Sequence, residues 1–232
     1  MKILAIDSSA KAVSVAITED KNLLGEFFVN VGLTHSQTLM PMVEEILKNT
    51  RLKISDIDAF AVSTGPGSFT GLRIGIAAIK GLAFADATPC IGVSTLYSMA
   101  YNFAGENAVI CAVMDARCNQ VYNAIFDICD EKITRLTSDR TISIEELSFE
   151  LEKLEKKVIL VGDGAVLCYN KIKNNLNLHL AHENRRFQRA SSVAIAAYDA
   201  YLNGNAAINS ADLLPKYLRI PQAERELIKK RQ

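Results

Sequence analysis

The chain has no surplus of charge: 26 Lys and Arg stand against 26 Asp and Glu among 232 residues. Phosphate recognition usually leaves a basic excess, so this balance argues against a protein that grips nucleic acid strongly by itself. There is no C-x-x-C pair, and the cysteines (Cys90, Cys111, Cys118, Cys129 and Cys168) number five. An odd set, with Cys111 and Cys129 inside apolar strand-like runs, reads as buried thiols of a reducing compartment rather than a disulfide framework. No apolar run reaches membrane length, since the richest, Ile74 to Ala85, is broken by Lys80. The run Ile3 to Ile6 ends at Asp7, too short for a secretory leader. A cytoplasmic protein with no membrane partner is expected. Disorder is excluded by 49% hydrophobic and 22% charged residues. A chain of this length buries about 70–75% of its unfolded surface, as one large domain or two small ones.

Complete catalytic signatures are also missing. The stretch Thr64-Gly65-Pro66-Gly67-Ser68-Phe69-Thr70-Gly71-Leu72-Arg73-Ile74-Gly75 follows a strand and opens a helix, where unpaired N–H groups favour anions. No Lys follows Gly71 as a P-loop requires, and Thr70 occupies the place of the last glycine in G-x-G-x-x-G. A tight turn, with Gly71 and Gly75 allowing close helix packing, is the simpler reading. Ser68 lacks a G-x-S-x-G elbow. His35 stands alone, and His179 and His182, beside Glu183, have no third ligand fixed by sequence. No catalytic residue and no metal site are assigned.

What the chain does have is an internal repeat. Ile3-Leu4-Ala5-Ile6-Asp7, a polar turn and Val13-Ser14-Val15-Ala16-Ile17 return 108 residues later as Cys111-Ala112-Val113-Met114-Asp115, a turn and Val121-Tyr122-Asn123-Ala124-Ile125. Ungapped, Asp7 falls on Asp115, Val13 on Val121, Ala16 on Ala124 and Ile17 on Ile125. Each half continues alike. The first has a strand over 23–29, a helix over 36–49, a strand over 59–63, a helix over 71–85 and a short strand near Ile91. The second has a strand over 132–142, a helix over 143–156 opened by the capping box Ser143/Glu146, a strand over 158–161 and a helix over 165–174. A last helix, 191–202, ends at Asn203-Gly204. This order predicts an α/β, actin-like (ASKHA) duplicated RNase-H-like fold, with two subdomains each built of a mixed sheet and flanking helices. The boundary is expected near Gly105, giving 1–104 and 105–232, with the last helix packing back on the first subdomain.

Actin-like enzymes that use ATP grip phosphate with glycine-containing turns after both Asp residues. Here Asp7-Ser8-Ser9-Ala10-Lys11 and Asp115-Ala116-Arg117-Cys118-Asn119 contain none. The two Asp residues are expected to bond their own turns, with a shared metal ion as the rival. Asp7, Ser8, Ser9, Gly65, Gly67, Asp115, Gly162 and Gly164 together read as a vestigial nucleotide site. Among the helices, Thr34/Gln37 reads as a capping box ahead of Leu39, Met42, Val43 and Ile46, with Pro41 kinking the first turn. The helix over 71–85 is apolar nearly all round, which calls either for burial under a neighbouring helix or for a protein–protein face. Arg185, Arg186 and Arg189, and Lys229, Lys230 and Arg231, are basic clusters that suit either RNA phosphate or open solvent.

The segments Ile3-Leu4-Ala5-Ile6-Asp7-Ser8-Ser9, His35-Ser36 with Leu39 and Pro41, the GPGSFTGLRIG stretch 65–75, Asp115-Ala116-Arg117 with Val121-Tyr122, and Pro215-Lys216-Tyr217-Leu218-Arg219 resemble the TsaB (YeaZ) family. The likeness runs from residue 1 to about 225 and implies a non-catalytic subunit in bacterial synthesis of threonylcarbamoyladenosine on tRNA. The modified adenosine lies beside the anticodon of tRNAs reading codons that begin with A. The implied partners are a TsaD-type transferase in a heterodimer and a TsaE-type ATPase in a larger complex. A homodimer is implied when the chain is alone, and tRNA is reached through the complex. The chain would need no cofactor of its own, and ATP or ADP at a complex interface is left open. The family's interface carries over to His35, Leu39, Met42, Val43, Ile46, Leu72, Arg73, Ile76 and Ile79. The competing readings are an actin-like ATPase or phosphotransferase acting alone, and a glycoprotease-like peptidase.

Overall fold

The computed structural model describes residues 1–172, 177–204 and 207–219. Its first half contains β1 (Lys2–Asp7), β2 (Val13–Glu19), β3 (Asn22–Val29), α1 (His35–Thr50), β4 (Ala59–Gly65), α2 (Phe69–Phe84), β5 (Cys90–Ser94) and α3 (Thr95–Tyr101). The second contains β6 (Asn107–Asp115), β7 (Gln120–Cys129), β8 (Lys132–Arg135), β9 (Arg140–Ser143), α4 (Ile144–Leu151), β10 (Val158–Val161), α5 (Ala165–Lys171), β11 (Leu178–Leu180), α6 (Glu183–Arg186) and α7 (Ala190–Leu202). The sheets have matching orders, β3-β2-β1-β4-β5 and β8-β7-β6-β10-β11, with β9 also on β7. In both, the hairpin strands pair antiparallel and the strands after the first helix add in parallel. This is the duplicated actin-like fold.

Strand alternation sorts the core. In the first sheet Leu4, Ile6, Val13, Val15 and Ile17 pack with α1 and α2, while Ile3, Ala5 and Ala16 meet α7. In the second, Val109, Cys111, Val113, Val121 and Ile125 pack with α4 and α5, and Ala112, Met114 and Ala124 meet α3. These faces correct the ungapped repeat. Val13 and Val121 share the outer-helix face, as do Ile17 and Ile125, but Ile6 and Met114 lie on opposite faces. The pairing agrees: Asp7 lies opposite Ser14, whereas Asp115 lies opposite Val121. The second hairpin thus closes one residue sooner, and a slip of one residue turns a side chain to the other face. Asp7 and Asp115 are therefore not equivalent positions.

Other boundaries differ for local reasons. The strand expected over 132–142 is two strands, because the Ile125 carbonyl takes Leu136 and Thr137 N–H and the ladder breaks there. Helix α4 has the Ser143/Glu146 capping box but stops at Leu151, short of 156. Helix α5 ends at Lys171, and the remainder of the helix expected to 174 lies partly outside the described residues. Helix α1 runs through Pro41, and Thr34 precedes it without a side-chain cap bond, so that expected capping box does not form. The seven-residue α3 had no counterpart in the sequence reading. Cys129 is exposed rather than buried, because it ends its strand beside the turn to Lys132.

Two members of the arginine cluster, Arg185 and Arg189, are committed to ion pairs within the chain. Arg185 donates to the Asn102 carbonyl and pairs with Glu106 at 2.9 Å. Arg189 pairs with Glu26, whose side chain is 5% exposed. The same Glu26 carboxylate accepts Ser191 N–H at 3.1 Å and caps the first turn of α7. Ser14 Oγ accepts Ala190 N–H at 2.8 Å. These contacts clamp α7 onto β2 and β3. The cluster 229–231 lies outside the described residues.

Candidate functional site

Two features stand out: a cleft between the sheets and the outer face of α2. The cleft holds about 460 Å³ and is lined by Lys11, Asp115, Arg117, Asp163, Lys216 and Arg219 among others. The turn after β1 forms one wall and the turn after β6 the other. Asp7 is not part of the lining. It is 1% exposed, and its carboxylate accepts Ser9 N–H at 2.9 Å, Ser9 Oγ at 2.7 Å and the Ser63 hydroxyl. Burial pushes this carboxyl above its ordinary range, and the three donors oppose that shift. Asp115 accepts Arg117 N–H at 2.8 Å, so both aspartates bond their own turns.

The glycine-rich stretch is built for contact. Gly65 has φ +128°, and a Cβ there would stand 2.4 Å from the Lys216 carbonyl oxygen. A Cβ on Gly67 would stand 2.4 Å from the Ser9 carbonyl oxygen, and one on Gly71 2.1 Å from that of Ser8. Ser68 N–H donates to Ser9 at 2.6 Å, Ser8 Oγ to the Gly71 carbonyl at 2.8 Å, and Ser68 Oγ caps α2 by accepting Gly71 N–H. On the other wall, a Cβ on Gly162 would stand 2.1 Å from the Val113 carbonyl oxygen, and one on Gly164 3.0 Å from Asp115 N. All five glycines admit neighbouring backbone. In the Ser8–Ser9 turn the Ser9 N–H is taken by Asp7 and the Ser9 carbonyl by the Ser68 N–H.

Asp163 opens into the cleft, yet the walls displace much of its water. Burial first, and then the Asp115 charge, raise its carboxyl to about 6, against backbone N–H donors that lower it. Among the described residues no group of three His, Cys, Asp or Glu could hold a metal ion. His35 Nε2 meets the Ala10 carbonyl at 2.7 Å, His182 pairs with Asn184, and His179 sits on β11.

The interface residues expected from the resemblance separate sharply. Leu39, Met42, Val43, Ile46, Leu72, Ile76 and Ile79 are at most 9% exposed, and all but Leu72 belong to the core under the first sheet. In this chain they are turned inward, because the apolar stripe of each helix that faces its own sheet is covered by it. Of the α2 set only Arg73 is exposed, and His35 is half-buried. The outer stripe of α2 is instead Arg73, Ala77, Gly81 and Phe84, with Phe84 82% exposed. Met40 of α1 is exposed too. The sequence held the signal: Gly71 and Gly75 mark the inner face of α2, so positions 77, 81 and 84 must point away.

The segment 213–219 was also missed as part of the site. Lys216 N–H donates to the Thr64 carbonyl at 2.8 Å, Tyr217 stacks on Phe69 with centroids 4.8 Å apart, and Arg219 Nη1 donates to the Ala116 carbonyl. Arg73 lies over the Phe69 ring at 3.8 Å and its Nε donates to the Tyr217 hydroxyl at 2.9 Å.

A family model described as TsaD, tRNA N6-adenosine threonylcarbamoyltransferase, matches residues 30–227. The tRNA threonylcarbamoyladenosine biosynthesis protein TsaB of Escherichia coli is 36% identical over 167 residues, 71% of this chain and 72% of that protein. The Bacillus subtilis protein of the same name is 26% identical over 98% of both chains. A crystal structure from Pseudomonas aeruginosa, described as an uncharacterized protein with similarity to peptidase YeaZ, superposes with a TM-score of 0.79 at 26% identity, covering 94% of this chain and 99% of that one.

Proposed function

The chain belongs to the TsaB (YeaZ) family of tRNA threonylcarbamoyladenosine biosynthesis proteins, and from that premise we propose that it is a non-catalytic subunit which binds and positions a TsaD-type transferase. Its place is the formation of threonylcarbamoyladenosine on tRNA. The observation that carries the subunit role is the exposed apolar stripe Ala77, Gly81 and Phe84 on α2, which no other described element covers. Large exposed aromatic side chains beside small residues suit a closely packed protein contact. The same stripe pairs two copies of the chain when the transferase is absent. A TsaE-type ATPase joins the complex, tRNA is reached through the assembly, and the work is done in the cytoplasm. Any ATP or ADP is held where subunits meet.

The cleft chemistry favours this reading over the two enzymes. Ser9 spends its N–H and hydroxyl on Asp7, and Ser8 spends its hydroxyl on the Gly71 carbonyl in the first turn of α2, so these donors are not free to cradle a phosphate as in an actin-like ATPase. Ser68, the N-cap of α2 at the cleft, spends its hydroxyl oxygen on the Gly71 N–H, and no hydrogen bond joins it to a His, Asp or Glu among the described residues. The test is reconstitution. The pure chain should leave unmodified tRNA unchanged with threonylcarbamoyl-adenylate, while adding it to the transferase should raise modification several-fold. Modification by the chain alone would overturn the proposal.

A further inference from the structure

The segment Pro215–Arg219 bridges both walls of the cleft. Lys216 binds the first half through Thr64, over a glycine whose missing Cβ leaves room for the Lys216 carbonyl. Arg219 binds the second half through Ala116. Between them Tyr217 reaches Arg73, at the cleft end of the exposed stripe of α2. An exposed arginine ordinarily samples many rotamers, and ordering it costs entropy on binding. Here the guanidinium is stacked on Phe69 and held through Nε by the Tyr217 hydroxyl. Its two terminal amino groups take no partner among the described residues, which leaves the fork that matches a carboxylate.

We propose that Pro215–Arg219 is a latch that ties the two walls of the cleft together and presets Arg73, so that closure of the latch and docking of a partner on α2 are coupled. The partner surface is apolar opposite Ala77, Gly81 and Phe84, and carries a carboxylate opposite Arg73. This rests on the reading of α2 as the docking face. Coupling is reciprocal: whatever the closed latch adds to partner affinity, the bound partner adds to latch closure.

Hydrogen exchange by mass spectrometry on the full chain, with and without the TsaD-type partner, tests both parts. Arg219→Ala should speed exchange of amides 116–120 about tenfold, as expected on losing one bond from a charged donor. Saturating partner should slow the same amides in the wild type. Arg219→Ala should also weaken partner binding several-fold, although Arg219 lies at the cleft and not on the stripe. Arg219→Lys, which keeps a charged donor, should recover part of each effect. Unchanged exchange in Arg219→Ala overturns the latch. Faster exchange with unchanged affinity overturns the coupling and leaves the docking face standing. If the wild type does not bind the partner, the docking reading and the coupling fall together, and exchange in the free chain still judges the latch.

Discussion

Two glycines ten residues apart on α2 should respond to the same substitution with opposite signs. Gly81 faces outward, and a Cβ there would meet nothing within 4 Å. Gly81→Ala therefore gains the difference in helix propensity, about 1 kcal/mol of stability. Gly71 faces the Ser8 carbonyl oxygen, 2.1 Å from where its Cβ would stand. Ordinary contact between carbon and oxygen begins more than 1 Å further out, so the turn after β1 or the helix must move. Overpacking of this kind costs about 1–3 kcal/mol. Movement also strains Ser8 Oγ to Gly71 and Ser68 N–H to Ser9, each worth about 1 kcal/mol. Set against the propensity gain, Gly71→Ala should lose about 3 kcal/mol. In urea melts the midpoints should move in opposite directions, and in thermal melts Gly81→Ala should rise by about 3 °C while Gly71→Ala falls by about 6–12 °C. A Gly71→Ala protein as stable as the wild type would refute the close packing of α2 on the Ser8–Ser9 turn.

Further outcomes follow from single groups. Because the Asp163 carboxyl is raised to about 6 from its ordinary 3.8, its contribution to stability is full below that ordinary value and is lost as pH rises through 6. Asp163→Asn should then stabilise the protein at pH 7.5 by about 1 kcal/mol after allowance for its opening into solvent, with the gain fading toward pH 4 in urea melts. Glu26→Ala removes the nearly buried partner of Arg189 and the cap on α7; a loss of about 3 kcal/mol is expected in the same assay. Thiol labelling of the native protein should modify Cys118 and Cys129 quickly and spare Cys90, Cys111 and Cys168, since burial also pushes the Cys90 thiol up to about 11 and that of Cys168 to about 12.

Much of the fold was legible because strands and helices keep their own periods. The hairpins, β4, β10 and the interior of α2 follow directly from apolar alternation and helical spacing. The duplication was visible, yet its frame was not: four identities favoured an ungapped match, while the shorter second turn shifts β6 by one residue against β1. Pattern matching along the chain does not sense a turn that closes one residue early. The end of α4 and the break between β8 and β9 depend on which carbonyl accepts which N–H, which local sequence underdetermines. Arg185 and Arg189 looked like part of a basic patch because their acceptors, Asn102, Glu106 and Glu26, lie far away in sequence. The polar economy of the Asp7 turn was readable from its missing glycines. Which side of α2 is buried was not legible, because a helix apolar on both sides conceals which side its own sheet covers. Ile76 and Ile79 face the core, and Ala77, Gly81 and Phe84 face out.

The central claim is therefore tested most directly at Phe84, by analytical ultracentrifugation of the chain mixed with its TsaD-type partner. Phe84 is 82% exposed, so Phe84→Asp should leave the fold intact while placing a carboxylate in the contact. Desolvating an unpaired charge there should cost about 3–5 kcal/mol, enough to dissolve a micromolar complex. The account predicts a heterodimer for the wild type and separate monomers for a folded Phe84→Asp protein. A wild-type heterodimer that survives Phe84→Asp with undiminished affinity would contradict it, and would move the partner to another face of the molecule.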